Sequence, residues 1–296
     1  ENGEKAMTAA VTEIQQLEKT LSITKADSEI SKINAAGGKK VTVSKETYDL
    51  LSACIQYGND TDGLFDISIY PLVKLWGFTT EKYHVPDKAE RDAVIKKIDY
   101  KKIELLSDYQ VRIPSGMAID LGAAAKGYLS QKIIDLCKEK KVISCILSLG
   151  GNVQTIGMKP DDTEYTVGIT DPSDGSSIYG TVKVKDKAVI TSGIYQRNFK
   201  KDGKLYHHIM DKRTGMPADN NLASVTVIAE NGAMADAYAT ALSVMGEEKA
   251  IAFQKKHPQI QIILIRKDGT FYQSEKAGMI KSVSYTHLRA HETSLH

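Results

Sequence analysis

The sequence has few cysteines and a single tryptophan, and it has no excess of either charge. Its 296 residues include three cysteines, and 39 Lys and Arg residues nearly balance 37 Asp and Glu residues. Three cysteines without a Cys-x-x-Cys pair argue against a disulfide framework and against a cysteine-based zinc or redox site. A formal net charge of +2 gives no electrostatic footprint for nucleic acid.

Long apolar runs are also absent from the sequence. No stretch of about 18 apolar residues occurs, so no transmembrane helix is expected. The sequence starts at Glu1 without Met, and we expect an anchor or export signal upstream of it. Residues 284–296 contain three of the seven histidines but follow no strand or helix period. We interpret them as a non-native tail, and its histidines as poor metal candidates.

Apolar residues recur at helical spacing in some stretches and alternate in others. The spacing predicts helices over residues 4–21, 45–57, 87–98, 124–140, 234–245 and 249–256. Ser44 and Asp87 are predicted to cap the second and third of these helices. It predicts strands over residues 40–43, 102–106, 110–113, 143–149, 165–169, 178–184, 188–192, 224–229 and 261–266. Because helices and strands do not alternate strictly, an α+β fold is favoured over a doubly wound sheet. Without repeats or linkers, residues 1–283 are expected to form one domain with two lobes.

The segment 119–128 has features of a phosphate-binding turn. An apolar stretch ends at Asp120, Gly122 permits a tight turn, and three alanines begin the predicted helix. The first turn of a helix offers unpaired N–H groups and positive potential, and Lys126 adds a mobile charge. Lys126 precedes Gly127, unlike the order in a Walker P-loop, and G-x-G-x-x-G is absent. The alternative is an ordinary strand-to-helix turn.

Residues 235–242 have the composition of a buried, alanine-rich helix. Asp236 and Thr240 are four residues apart and face the same side of that helix. A carboxylate on an apolar helix is costly unless it is paired or bound to a metal. Carboxylate, hydroxyl and carbonyl oxygens are the ligands that Mg²⁺ prefers. The alternative is an Asp that only complements the helix dipole, with Thr240 bonding back to a carbonyl.

Two further segments are rich in polar or aromatic side chains. Residues 206–217 contain His207 and His208 before a Thr-Gly-x-Pro turn. Adjacent side chains on a strand point in opposite directions, so one histidine is expected to face a site. There His208 could serve as a general base or a phosphate partner, although a structural histidine is the alternative. Residues 63–78 contain the only Trp, and they form core or flank a planar ring.

Six motifs of this sequence resemble motifs of the ApbE family, and they occur in the family's order. They are SEISKIN at 28–34, the aromatic segment 63–78, IDLGAAAKGY at 119–128, SLGGN at 148–152, HIMDKRTGMP at 208–217 and ADAYAT at 235–240. No single motif is decisive, but six in order are specific, and together they span roughly residues 4–283. The chain therefore resembles a member of the ApbE family.

The resemblance implies a fold and a function. Family members are FAD:protein FMN transferases with a T-fold-related α+β domain and a flavin site between two lobes. They use FAD and Mg²⁺, transfer FMN to a Thr or Ser hydroxyl of an acceptor flavoprotein, and release AMP. The acceptor carries a D-G-x-T/S-G-A-T/S-like motif. Many members are lipoproteins on the outer side of the cytoplasmic membrane, so an extracytoplasmic location in the periplasm or at the cell surface is implied.

The resemblance also assigns contacts to FAD. Six residues of the matching motifs are implied to lie against it: Leu64, Phe65, Asp66, Asp120, Lys126 and Met210. Within this set, Lys126 is expected near phosphate, and Met210 is expected to contribute through backbone atoms.

Metal ligands and a base follow from the same motifs. The resemblance gives Mg²⁺ the carbonyl of Ala123 and the side-chain oxygens of Asp236 and Thr240. Some members have an acidic residue at the position of Ala239, which leaves Ala239 only a backbone role here. His208 is the first candidate for the catalytic base that takes the proton of the acceptor hydroxyl, and Asp236 is the second.

The sequence departs from the family pattern in two places. Lys212 replaces the usual Pro, which is expected to loosen the turn after Asp211 and to add charge near the phosphates. The family's N-terminal strand, with a Met-Gly-Thr-like flavin contact, is not in this sequence. Two rival functions stay open, a Mg²⁺-dependent FAD diphosphatase and an FAD-binding lipoprotein without turnover.

Overall fold

Helices and strands are mixed along the chain in a computed structural model that describes residues 2–282. The α-helices of this range are α1 (Asn2–Leu21), α2 (Glu29–Ala35), α3 (Lys45–Asp60), α4 (Tyr70–Leu75), α5 (Lys88–Ile95), α6 (Ala125–Glu139), α7 (Gly232–Met245) and α8 (Glu247–Lys256). The first eight strands are β1 (Val41–Thr42), β2 (Glu104–Leu106), β3 (Gln110–Arg112), β4 (Cys145–Leu149), β5 (Asn152–Ile156), β6 (Tyr165–Thr170), β7 (Ile178–Val184) and β8 (Ala188–Gly193). The remaining strands are β9 (Asn198–Lys201), β10 (Lys204–His207), β11 (Met210–Asp211), β12 (Met216–Pro217), β13 (Leu222–Ala229), β14 (Gln261–Arg266), β15 (Phe271–Gln273) and β16 (Ile280–Lys281). The predicted α+β class is confirmed, and the predicted tail at 284–296 lies outside the described residues.

A six-stranded antiparallel sheet forms the centre of the larger lobe. Its strand order is β15-β14-β13-β8-β5-β4. Helices α7 and α8 cover one face, where Val227 packs with Leu242 in one core. A three-stranded sheet of order β16-β7-β6 covers the other face, where Val182 and Ile263 share a second core. Because both faces are covered, all eight residues of β13 are buried.

The N-terminal half builds a second lobe around its own apolar core. Helices α2 and α3 pack there with the small sheet β1-β3-β2. Ser44 caps α3 by accepting a hydrogen bond from the N–H of Thr47, as predicted. Asp87 caps α5 as predicted and forms a capping box with Glu90. No helix within residues 2–282 combines the length and apolar character needed to cross a membrane.

Helices α6 and α7 connect the two lobes through direct backbone contact. A Cβ atom added to Gly127 would lie 2.2 Å from the carbonyl oxygen of Gly232 and 2.6 Å from Cβ of Asp236. Real Cβ atoms do not approach so closely, so the crossing requires a glycine at 127. Ala237 on α7 packs in the N-terminal core, while Ala239 packs against the central sheet. This crossing therefore brings the first turns of both helices to one place.

Two hairpins lie between β8 and β13. β9 pairs with β10, and β11 pairs with β12. The indole Nε1–H of Trp76 donates to the carbonyl oxygen of Gly215 over 2.9 Å. This bond joins the second hairpin to the segment that follows α4, so both lobes hold the hairpins in position.

Candidate functional site

One cavity between the lobes collects most of the residues singled out in the sequence. It has a volume of about 170 Å³. The predicted residues that line it are Leu64, Phe65, Asp66, Asp120, Ala123, Lys126, His208, Met210, Asp236 and Thr240. Two larger grooves, of about 570 and 670 Å³, hold none of these residues. The fold thus brings four segments that are distant in sequence together around one cavity.

Asp236 is a buried carboxylate at this cavity. Its side chain is only slightly exposed, and its Oδ2 accepts the N–H of Gly127 over 2.8 Å. Burial raises the pKa of Asp236 to about 6, and the Gly127 N–H, the Lys126 charge and the Asn152 amide oppose that shift. At neutral pH the carboxylate is therefore ionised at a cost in free energy. A cation bound in the cavity would offset that cost.

The oxygens around Asp236 fit a hard cation such as Mg²⁺. In a regular helix the N–H of Gly127 would pair with the carbonyl of Ala123, four residues earlier. Here that N–H donates to Asp236, which leaves the Ala123 carbonyl available at the cavity wall. The Oγ1–H of Thr240 donates to the carbonyl oxygen of Asp236 over 3.3 Å, which is the bond back to a carbonyl that the alternative expected. The same oxygen lies 3.4 Å from the Oγ of Ser192 and still offers a lone pair to a cation. One carboxylate, one hydroxyl and one carbonyl, completed by water and phosphate oxygens, form a set that Mg²⁺ accepts.

A metal site made only of ionisable side chains is not present in the described range. Within residues 2–282, no three His, Cys, Asp or Glu side chains lie close enough to hold a metal ion. Ala239 does not line the cavity, since its side chain is fully buried against the sheet. Its carbonyl accepts a hydrogen bond from the Oγ of Ser243 over 2.8 Å. A backbone role of Ala239 at the metal site stays a prediction. The buried position of Ala239 does not support it.

Lys126 and Arg197 bring positive charge to the cavity. Both side chains are exposed and line it, and no ion pair within residues 2–282 includes either of them. Lys126 lies in the first turn of α6, where the helix dipole also favours anions, while the N–H groups of Ala125 and Gly127 already donate to the Leu121 carbonyl and to Asp236. The arrangement suits a phosphate or pyrophosphate group.

Sequence reasoning missed the lining residues at the end of β8 and in the turn after it. These are Thr191, Ser192, Gln196 and Arg197. The available signal was a run of polar residues at the end of an apolar strand, followed by a turn and an arginine. Polar residues at such a strand end are typical of loop-borne sites.

His208 faces the cavity, and His207 does not. The Nδ1 atom of His208 lies 3.2 Å from the carbonyl oxygen of Arg197. In the neutral ring Nδ1–H therefore donates, and the lone pair is on Nε2. Burial, together with the charges of Arg197 and Lys126, lowers the pKa of His208 to about 4, and the hydrogen bond to the Arg197 carbonyl opposes this shift. His207 turns away, with its Nε2 3.2 Å from the carbonyl oxygen of Ala218.

Asp66 is engaged on both carboxylate oxygens. Its Oδ1 accepts from the N–H and the Oγ of Ser68, over 2.8 and 2.6 Å. The Nζ of Lys212 donates to Oδ2 over 2.6 Å, and the Asp66 side chain is fully buried. This ion pair commits the Lys212 ammonium to Asp66, and the expectation that Lys212 adds charge near the phosphates stays a prediction. The turn is not loosened, since the N–H of Gly215 donates to the carbonyl of Asp211 over 2.8 Å.

Asp120 remains more accessible to a ligand than Asp66. Its backbone N–H donates to the carbonyl of Ile67 over 2.8 Å, and its Oδ1 accepts the N–H of Gly122 over 2.9 Å. Burial raises the pKa of Asp120, while the Gly122 hydrogen bond opposes the shift. Nearby, Leu64, Phe65, Ile69, Val73 and Met210 form an apolar side of the cavity. A planar ring with polar edges fits such a mixed wall.

Comparisons with known proteins agree with this picture. The ApbE family model matches residues 2–264. The chain is 35% identical over 280 residues to the FAD:protein FMN transferase of Treponema pallidum (strain Nichols), covering 89% of this chain and 77% of that protein. It is 35% identical over 260 residues to a FAD:protein FMN transferase of Klebsiella pneumoniae (strain 342), covering 86% and 80%.

Solved structures give the same result. The ApbE protein of Thermotoga maritima superposes with a TM-score of 0.87 at 32% identity, covering 93% of this chain and 90% of that one. The flavin transferase ApbE of Vibrio cholerae superposes with a TM-score of 0.83 at 28% identity, covering 92% and 89%. The resemblance seen in the six motifs is confirmed, and the chain belongs to the ApbE family.

Proposed function

We propose that this chain is a Mg²⁺-dependent FAD:protein FMN transferase, which moves FMN from FAD to a Thr or Ser hydroxyl of an acceptor protein and releases AMP. The observation that carries the proposal is the convergence of Asp236, Thr240 and the free Ala123 carbonyl with Lys126 and Arg197 on one cavity. Curated relatives named FAD:protein FMN transferase support the broader assignment to flavin transfer.

Three oxygens of the chain would hold the metal. They belong to the side chains of Asp236 and Thr240 and to the carbonyl of Ala123, and the buried carboxylate gives the site its negative charge. When bound there, Mg²⁺ supplies charge neutralisation to pyrophosphate oxygens. The hydrogen bond from the Gly127 N–H fixes the orientation of the Asp236 carboxylate before any ligand arrives.

FAD would lie across both lobes. Lys126 and Arg197 bind the pyrophosphate, because they are the positive groups at the cavity that lack an ion-pair partner among residues 2–282, and the dipole of α6 adds to their attraction. Leu64, Phe65 and Met210 form the apolar wall against which the flavin ring packs, while the backbone of Met210 is available at its edge. Phosphoryl transfer depends mainly on such positioning and on charge neutralisation.

His208 is the residue we assign to the proton of the acceptor hydroxyl. The hydroxyl oxygen attacks the phosphorus of the FMN half, the bond to the AMP oxygen breaks, and Nε2 of His208 takes the hydroxyl proton. The free enzyme holds this ring neutral, since its pKa is lowered to about 4. A pyrophosphate bound beside it adds negative charge, which raises the pKa toward a value suited to proton transfer. Asp236 is a weaker candidate because its oxygens are committed to Gly127 and to the metal.

An acceptor assay tests this function. The protein is incubated with FAD, Mg²⁺ and a flavoprotein domain that carries a D-G-x-T/S-G-A-T/S-like motif, and the intact mass of that domain is measured. We expect a mass gain equal to one esterified FMN, which disappears when the acceptor hydroxyl is replaced. Rapid formation of FMN and AMP without acceptor, and no mass gain with it, would instead favour a diphosphatase. Co-purified FAD that survives Mg²⁺ addition intact would favour a flavin-binding protein without turnover.

We also propose that the chain acts outside the cytoplasm, anchored to the outer side of the cytoplasmic membrane by a lipid upstream of residue 1. This proposal rests on the family resemblance. Fractionation of cells that express the native gene, combined with protease treatment of intact spheroplasts, tests it. Protection from protease in intact spheroplasts would contradict an outer location.

A further inference from the structure

We infer that the β9–β10 hairpin is a docking surface for an acidic face of the acceptor protein, an inference that rests on the proposed function. The hairpin starts directly after Arg197 and ends directly before His208. Both of these residues line the cavity. An acceptor whose hydroxyl reaches His208 must therefore lie beside the hairpin.

Aromatic packing holds the base of the hairpin rigid. The Phe199 ring stacks on Tyr83 at a centroid distance of 4.6 Å and on Tyr206 at 5.3 Å. Trp76 and Phe78 add tilted contacts to the same cluster, at 5.3 Å from Tyr206 and 5.7 Å from Phe199. Such packing fixes the direction of the hairpin before a partner binds, which lowers the entropic cost of binding.

The tip of the hairpin, residues 200–204, concentrates positive charge. Lys200, Lys201 and Lys204 are exposed, and Asp202 is the single acidic residue between them. In the described part of the chain, none of the three lysines forms an ion pair, and Lys204 only approaches the Tyr206 ring at 5.6 Å. The tip thus carries a formal charge of +2 on five residues, as much as the whole chain.

This charge does not serve the fold or the cavity. Unpaired surface lysines add little to stability, and three near one another repel. None of them lines the cavity, where Lys126 and Arg197 already face the pyrophosphate site. Charges at the rim of an interface raise the rate and specificity of association with an oppositely charged partner. The geometry therefore favours an acidic surface on the acceptor, next to its modified hydroxyl.

A binding experiment on the full chain tests the inference. The probe is an acidic flavoprotein domain with the D-G-x-T/S-G-A-T/S-like motif, whose modified hydroxyl is removed so that it binds without being modified. The hairpin variant is K200Q/K201Q/K204Q. The matched control is K249Q/K255Q/K256Q, which removes the same charge from exposed positions on α8. We expect the hairpin variant to bind the domain about tenfold more weakly at low salt, with the difference narrowing at high salt. The control and the affinity for FAD should not change.

The other outcomes either contradict docking at the hairpin or support docking while contradicting the proposed FMN transfer. Equal binding by the hairpin variant, or no binding by wild type, overturns the inference. A loss of FAD affinity without a loss of acceptor binding assigns the lysines to substrate steering and overturns it as well. As a further probe, binding of both proteins to vesicles that contain phosphatidylglycerol is measured. If the hairpin variant binds less only to these vesicles, and binds the acceptor domain as wild type does, the inference is overturned too. Weakened binding by the hairpin variant, together with a wild type that binds but never transfers FMN to the intact domain, supports docking and refutes the proposed function.

Discussion

Replacing Asp236 by Asn distinguishes the effect of its buried charge on stability from the role of that charge in binding Mg²⁺. Burial raises the pKa of this carboxyl from 3.8 to about 6. At about 1.4 kcal/mol per pKa unit, ionisation in the folded protein costs roughly 3 kcal/mol. At this carboxyl the native state binds more protons than the unfolded state between pH 4 and pH 6. The contribution of Asp236 to the free energy of unfolding of the metal-free protein therefore falls as pH rises through this window and is level above it, while the lowered pKa values of His207 and His208 contribute in the opposite direction.

Asn keeps an oxygen for the N–H of Gly127 but carries no charge. At pH 8 and without metal, we expect Asp236→Asn to raise the free energy of unfolding by up to ~3 kcal/mol, and by much less at pH 4. Urea unfolding at both pH values, in EDTA, measures the difference. The same variant should lose Mg²⁺-dependent FMN transfer and the stabilisation that Mg²⁺ gives to wild type.

An exposed carboxylate provides the control. Asp162 is exposed at a positive φ that Asn also tolerates, so Asp162→Asn should change neither stability nor transfer. The reasoning would be refuted if Asp236→Asn were less stable than wild type at pH 8 without metal. Transfer that retained its Mg²⁺ dependence in the folded variant would refute the metal assignment.

Other substitutions test the remaining parts of the site. Lys126→Ala should weaken FAD binding by about tenfold or more, measured by quenching of flavin fluorescence, because a charge-assisted contact to phosphate is lost; an unchanged Kd would contradict the phosphate role. His208→Ala should lower kcat for transfer by about 10²- to 10⁴-fold while FAD still binds, and a normal kcat would assign the proton to another group. Gly127→Ala should lower the midpoint of thermal unfolding by many degrees, since its Cβ would lie 2.2 Å from the carbonyl oxygen of Gly232. A Gly127→Ala variant as stable as wild type would show that the helix crossing can relax.

Local sequence patterns predicted much of the fold because they report local physics. The N-caps at Ser44 and Asp87, and the long helices α1, α6 and α7, follow from side-chain periodicity and capping. The short strand β5 and the two hairpins were missed, because two to five residues give too little periodicity to recognise. Four of the six motifs nevertheless contain ten residues that the fold brings to one cavity.

Contacts between residues that are distant in sequence could not be predicted from the sequence patterns. Lys212 pairs with Asp66 across 146 positions, and the N–H of Gly127 reaches Asp236 across 109. Periodicity describes one element at a time and does not specify which elements meet. The pairing of Lys212 with Asp66 was therefore not predicted, and Arg197 was overlooked although it lines the site.

The backbone contact between α6 and α7 divides the site into two parts that can vary separately. The close approach of Gly127 to Gly232, together with the hydrogen bond from the Gly127 N–H, fixes the spacing between the Asp236 carboxylate and the first turn of α6. Changes in the apolar wall, at Leu64 or Met210, can therefore alter which ring fits the cavity without moving the Asp236 carboxylate away from the first turn of α6.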